Sequence, residues 1–342
     1  MRIAMYYSNK DIRLEEMPVP KIGHGEMLVR VMASGICGSD LMEWYRRDRA
    51  PLVLGHEIGG EVVAVGEGVT GYKTGDRVTA AHHVPCNTCP QCLAGNHTVC
   101  ESVRRTNFDP GGFAEYLRLP AINVERGVFR LPDEVSFEEA TFVEPLSCIL
   151  RGQRRAGMQV GKSVLVLGSG IAGLLHVKLA RALGAGRIMA TDISSFRLEA
   201  AKRFGAEAVI NAREDVPELV RELNSGSLAD IVIVCTGAPQ AIQQAFRAVE
   251  RGGTILFFAP TNEGVTIPFS VNDVFWRRDV TLATSYAGSP ADYAMALELI
   301  RAGRVTVRDM ITHRLGLAEA GRGFQLVAQA QDSIKVIVLP QK

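Results

Sequence analysis

Residues 163–185 read SVLVLGSGIAGLLHVKLARALGA. An apolar run of strand length, a turn carrying Gly168, Gly170 and Gly173, and a segment of helical period follow one another without a spacer. Downstream the alternation repeats, with RIMATD before SSFRLEAAKRFGA, ADIVIVCTG before PQAIQQAFRAVERGG, and then TILFFAP. This order predicts an α/β domain whose parallel sheet is covered on both faces. Upstream, to about residue 150, short β-rich runs such as MLVRVMASG, IGGEVVAVGEGV, GDRVTAAHHVP and GGFAEYLRLP are punctuated by Gly and Pro, a strand-and-turn pattern with few helices. After about Tyr286 come one helix, PADYAMALELIRAG, and a closing alternation, KVIVLP. The expected organisation is therefore 1–150, 151–286 and 287–342. The last stretch either forms a small third unit or returns its final strand to the N-terminal β domain, and 342 residues suffice for two domains.

The glycine spacing carries chemistry. Gly168 permits a tight turn, Gly170 lets the backbone approach a pyrophosphate, and Gly173 lets the helix pack closely on the strand. Ile171 and Ala172 open that helix, whose free N–H groups and partial positive charge favour phosphate. Asp192 ends the second strand, where a carboxylate accepts hydrogen bonds from adenosine ribose hydroxyls and repels a 2′-phosphate. Thr236, just past the run ADIVIVC, is assigned to the same site. NAD is thereby favoured over NADP. Arg197, five residues beyond Asp192, qualifies this because a guanidinium there could reach a 2′-phosphate, although SSFRLEAAKRFG places it on what reads as an exposed helix face.

A composition of 47% hydrophobic and 22% charged residues is that of a folded globular chain. The net charge of +1 supplies no field to hold a nucleic acid or an anionic membrane, so a small-molecule partner is expected and neither of those is. The opening MRIAMYYSNKDIRLEEMPVP is charged too early for a signal peptide, and no apolar run approaches the roughly 18 residues of a membrane span. A cytoplasmic location follows as an expectation. In a reducing compartment an odd number of cysteines, seven, points to metal ligation rather than a disulfide framework.

Four of those seven fall in CNTCPQCLAGNHTVC, residues 86–100. Cys86, Cys89, Cys92 and Cys100 suit tetrahedral zinc, which would close a lobe of about residues 82–102 that is too small for a core of its own. An iron–sulfur run would place its fourth cysteine three residues on and before proline, and Cys100 meets neither condition. With four protein ligands the site is expected to be structural. A second set is scattered: Cys37 in GICGSD, His56 and Glu57 in LGHEIGGEVVAVG, and Glu144 in FVEPLSC. Each alone reads as a buried thiol, a satisfied histidine or a carboxylate. Together they form the mixed set with which a catalytic zinc keeps one position open.

These residues, in this order, resemble the zinc-dependent medium-chain dehydrogenases, and within them the polyol (sorbitol) and threonine dehydrogenase branch. The likeness rests on GICGSD, GHEIGGEVVAVGEGV, GDRV, the four-cysteine lobe, FVEPLS, VLGSGIAG and Asp192, and it spans the chain. The resemblance implies a GroES-like β domain made from the N-terminal half and the C-terminal tail, an inserted Rossmann domain, and an active site in the cleft between them. It implies two zinc ions per chain: Cys37, His56 and Glu144 about the catalytic one, with Glu57 bound directly, through water, or exchanging. It implies that zinc lowers the pKa of a substrate hydroxyl, that Ser39 takes its proton, and that hydride passes to NAD from a secondary alcohol of a polyol, sugar or related compound. It also implies homodimers or homotetramers, paired through Rossmann edges that GGTILFFAPTNEGVTIPF could supply. Cys148 lies outside the matching position and reads as a core thiol; Ser39 could also be a turn hydroxyl on its own backbone.

Two departures bear on substrate. Met42 stands where many relatives carry a histidine, so proton release needs another route and threonine is disfavoured. The segment between Cys37 and His56 looks short and carries Arg46, Arg47 and Arg49. In a chain with 30 Arg and 8 Lys these read first as a solvated turn, and otherwise as a partner for a carboxylate or phosphate on the substrate. An amino alcohol, a sugar phosphate or a hydroxy acid remain alternative substrates, and a non-catalytic NAD- and zinc-binding protein or a zinc-bearing nucleic-acid binder are the alternative classes.

Overall fold

The computed structural model describes residues 1–342, which divide into two compact units, Met1–Ser147 with Gly288–Lys342, and Cys148–Ala287. The first boundary lies inside the helix Val143–Arg155. No helix is long and apolar enough to cross a membrane.

In the second unit six strands lie in the order Ala208–Asn211, Ile188–Asp192, Val164–Leu167, Ala229–Val234, Val249–Phe257, Thr281–Thr284, with every neighbouring pair parallel. This is the 3-2-1-4-5-6 order of a Rossmann domain, with the chain reversing direction across the sheet beside Val164–Leu167. Val164, Leu165, Val166 and Leu167 are all fully buried, because both sheet faces are covered. Leu165 and Leu167 pack with Val220, Ile242 and Phe246 on one face. Val166 meets the helix Ile171–Ala182 at Gly173 on the other. The sheet edge differs from the sequence expectation: Val249–Phe257, which contains TILF, is an inner strand, and Thr281–Thr284 forms the edge.

His176, on the helix Ile171–Ala182, is wholly buried, with Phe258 against its ring edge and the Gln153 amide 3.2 Å from Nδ1. Burial holds its pKa down at about 3 against an ordinary 6.5. The unfolded chain therefore binds this proton first as pH falls, so the group's contribution is complete above about pH 6.5 and is lost toward the folded value. At pH 5 the loss is about 2 kcal/mol. Denaturant titrations between pH 7 and 5 are expected to show this decline, and His176→Leu to remove about 2 kcal/mol of it.

In the first unit the main sheet runs Ile311–Gly316, Lys335–Leu339, Met27–Gly35, Glu57–Val65, Arg77–Ala80, Val128–Arg130, with Tyr116–Leu119 also paired to Met27–Gly35. Met27, Val29, Val31, Ile58, Val62 and Val78 pack together, following the period-two pattern of the strands. The C-terminal segment holds more than one helix and one strand: Ile311–Gly316 and the helix Ala320–Gln329 were not expected. That helix is disguised by Gly321 and Gly323, poor helix formers. Gly323 is there for closeness, because a Cβ would press on Ile36 Cδ1 at 2.6 Å.

Candidate active site

Three strand ends converge in the first unit. Gly35 pairs with Glu57 across the antiparallel ladder, and Ile337 pairs with Gly35 from the other side. Continuing these registers beyond Gly35 brings Cys37, His56, Glu57 and Lys335 to one place. One ligand atom each from Cys37, His56 and Glu57 lies within 4.8 Å of the others. Glu144, buried in the first turn of Val143–Arg155, stands outside that set.

Two neighbours orient the donors. Asp40, fully buried, accepts from the Cys37 amide through Oδ2 at 3.0 Å and turns Oδ1 toward His56 Nδ1 at 3.4 Å. The latter distance is too long for a full hydrogen bond, so Oδ1 keeps no complete partner. Burial opposes charge on His56, but the Asp40 carboxylate outweighs it and raises the ring's pKa well above 6.5. The arrangement leaves Nε2 to a metal with Nδ1 backed by a carboxylate, as metal-binding histidines are usually held. Ser39 donates its hydroxyl to Cys37 Sγ at 3.3 Å. A thiol, an imidazole and few other protein donors, each with an outer-side partner, fit zinc with a coordination position left open.

Glu57 takes a place that sequence reasoning left free. Its Oε2 accepts from Lys335 Nζ, and both side chains are buried. The ammonium also lies 5.5 Å from the centre of the Phe142 ring. A Cβ at Gly35 would meet this pair, which accounts for glycine there. Asp40 was likewise missed, though Cys37-x-x-Asp40 has the spacing of a capping box and forms one about the short 3₁₀ turn Gly38–Leu41.

The four clustered cysteines also meet. Sγ separations are 3.5 Å for Cys89–Cys92, 3.7 Å for Cys89–Cys100, 3.5 Å for Cys86–Cys100 and 4.0 Å for Cys86–Cys92. A tetrahedron of zinc–sulfur bonds of about 2.3 Å has sulfur–sulfur edges of roughly 3.8 Å, whereas a disulfide would need about 2.05 Å. Hydrogen bonds from Thr88, together with the Cys89 amide, pull the Cys86 thiol down to about 5. The lobe fits a closed zinc site.

In the second unit Gly168 has φ +93° and a Cβ on Gly173 would overlap the Gly168 carbonyl, so both positions exclude other residues. A Cβ on Gly170 would meet nothing nearer than Arg197 Nη1 at 4.0 Å, which leaves open surface at the helix start. Asp192 accepts from the Ser169 and Ser194 amides, each at 2.9 Å. Thr236 borders Gly168, where an added Cβ would lie 3.1 Å from its Cβ. Arg197 departs from the exposed-face reading: its side chain is 21% exposed, and Nη1 lies 4.0 Å from Asp192 Oδ2. This cradle fits a dinucleotide.

Residues 23–133 match the alcohol dehydrogenase GroES-like domain and residues 172–302 the zinc-binding dehydrogenase family. The chain thus belongs to the zinc-dependent medium-chain dehydrogenases. Within them it falls in the polyol and threonine dehydrogenase branch. It is 33% identical to a sorbitol dehydrogenase of Bacillus subtilis, over 100% of this chain and 98% of that protein. It is also 34% identical to an L-threonine 3-dehydrogenase of Bacillus velezensis, over 96% and 95%. Among solved structures, an alcohol dehydrogenase from Thermus sp. ATN1 superposes with a TM-score of 0.88 at 31% identity, covering 99% of each chain.

Proposed function

We propose that the protein oxidises a secondary alcohol of a polyol, sugar or related compound to the ketone, with NAD as acceptor and two zinc ions per chain. The observation that carries this reading is the convergence of Cys37, His56 and Glu57 at the paired ends of two strands, with Asp40 behind the imidazole. Cys37 and His56 hold the catalytic zinc. Glu144 is the third protein ligand on the strength of the family resemblance, and Glu57 reaches the metal only when Lys335 releases it. When bound, zinc would supply Lewis acidity at the substrate hydroxyl and nicotinamide would supply the hydride acceptor. Ser39 takes the hydroxyl proton and passes it outward, while Asp40 keeps the His56 ring in place. Cys86, Cys89, Cys92 and Cys100 hold the second zinc and keep the lobe folded.

Asp192, a buried carboxyl beside the glycine turn, supports NAD over NADP. Asp192→Ser is expected to shift the NAD:NADP ratio of kcat/KM toward NADP by about 10- to 100-fold, since it removes a repulsive charge and leaves Arg197 facing a 2′-phosphate. Association through the Thr281–Thr284 edge into a homodimer or homotetramer is supported by exposed Leu282, Phe275, Trp276 and Tyr286 on and near it. The functional test is the initial rate of reduced nicotinamide formation, with NAD and with NADP, on neutral polyols, sugar phosphates, hydroxy acids and threonine. NAD-linked oxidation of one or more of these alcohols is expected; no oxidation at full zinc occupancy would refute the proposal.

A further inference from the structure

Three buried polar atoms without a hydrogen-bond partner surround the Cys37–His56 pair: Asp40 Oδ1, His82 Nδ1 and Arg46 Nε. The His82 ring centre lies 4.7 Å from that of His56, and Arg46 Nη2 lies 3.9 Å from Asp40 Oδ1. Of the three arginines in the 46–49 turn, Arg47 and Arg49 are exposed, whereas the Arg46 side chain is only 14% exposed. Its contacts are weak ones: a 3.5 Å approach to the Ser39 carbonyl, the distant Asp40 oxygen, and the Tyr45 ring with its centre 4.9 Å from Cζ. A guanidinium has five donors in a fixed fork, and burying it with so few acceptors is costly unless an anion completes the set. Asp40 meets that need only in part, because Oδ2 is committed to the Cys37 amide and Oδ1, 3.9 Å from Arg46 Nη2, faces His56 as well.

We propose that Arg46 determines specificity and that the alcohol oxidised here carries a carboxylate, making it a polyhydroxy acid of the sugar-acid type. This rests on the dehydrogenase reading above. The carbinol carbon gives up its hydride to the nicotinamide, the hydroxyl proton leaves to solvent, and the carboxylate stays unchanged in a keto-acid product. A single guanidinium already shared with Asp40 balances a monoanion better than a phosphate dianion.

The test compares acids with their matched alditols, D-gluconate with D-glucitol and D-galactonate with galactitol, and adds D-glucitol 6-phosphate. For at least one pair the acid is expected to have a kcat/KM at least tenfold above its alditol. Arg46→Gln is expected to cut that ratio at least tenfold, chiefly through KM of the acid, and Arg46→Lys to keep part of it. Equal or better use of the alditols, a ratio unchanged in Arg46→Gln, or preference for the phosphate would overturn the proposal while leaving the dehydrogenase reading intact. If the zinc-loaded protein oxidised none of these compounds, titration of Trp44 fluorescence with D-gluconate in a Trp276→Phe background would decide. Saturable binding lost in Arg46→Gln would uphold the carboxylate site, and absence of binding would refute it.

Discussion

Cys37→Ala is expected to lower kcat/KM at least about 10³-fold, since the role proposed for Cys37 is to give a sulfur donor to a metal whose charge stabilisation would be worth several kcal/mol. Zinc content should fall by one per chain while the other zinc stays in the four-cysteine lobe, because the two donor sets share no residue. Far-UV circular dichroism should barely change: Cys37 follows the strand Met27–Gly35 rather than filling a core. His56→Ala should behave alike. Retention of both zinc ions with a comparable loss of activity would assign Cys37 another role.

Lys335→Met is expected to destabilise the protein by about 3–5 kcal/mol, because it strands the buried Glu57 carboxylate without its countercharge. In thermal unfolding this amounts to a drop on the order of 10 °C for a unit of this size. Adding Glu57→Gln should recover much of the loss, since a neutral pair no longer buries a lone charge. Equal destabilisation in the single and double variants would show that Lys335 contributes packing rather than charge. The pair also gives Glu57, adjacent to His56 in sequence, a partner other than a metal.

The strand, glycine turn and helix of residues 163–185 and the cysteine spacing of residues 86–100 were legible because each is local: the period or the interval holds all of the information. Cys37, His56 and Glu57 were legible as residue types, but their meeting depends on the register Gly35 to Glu57 and Ile337 to Gly35. Lys335 was invisible for the same reason. In SIKVIVLP it reads as one lysine heading an apolar strand, and its partner lies 278 residues earlier. Arg197 reads as surface from helical period, yet the helix Ser195–Phe204 turns it toward Asp192. The edge strand was misplaced although TILFFAP is more apolar than TLAT: apolar strands belong inside a parallel sheet, and that rule puts Thr281–Thr284 at the edge.

Stripping the protein of metal and titrating zinc back, with NAD-linked oxidation of the best alcohol or hydroxy acid followed against zinc bound per chain, decides whether a zinc held at Cys37 drives the reaction. Two bound equivalents, with a rate that rises only with the one absent from Cys37→Ala, is the expected result. Turnover undiminished in the zinc-free protein, or none with both equivalents in place, would contradict it.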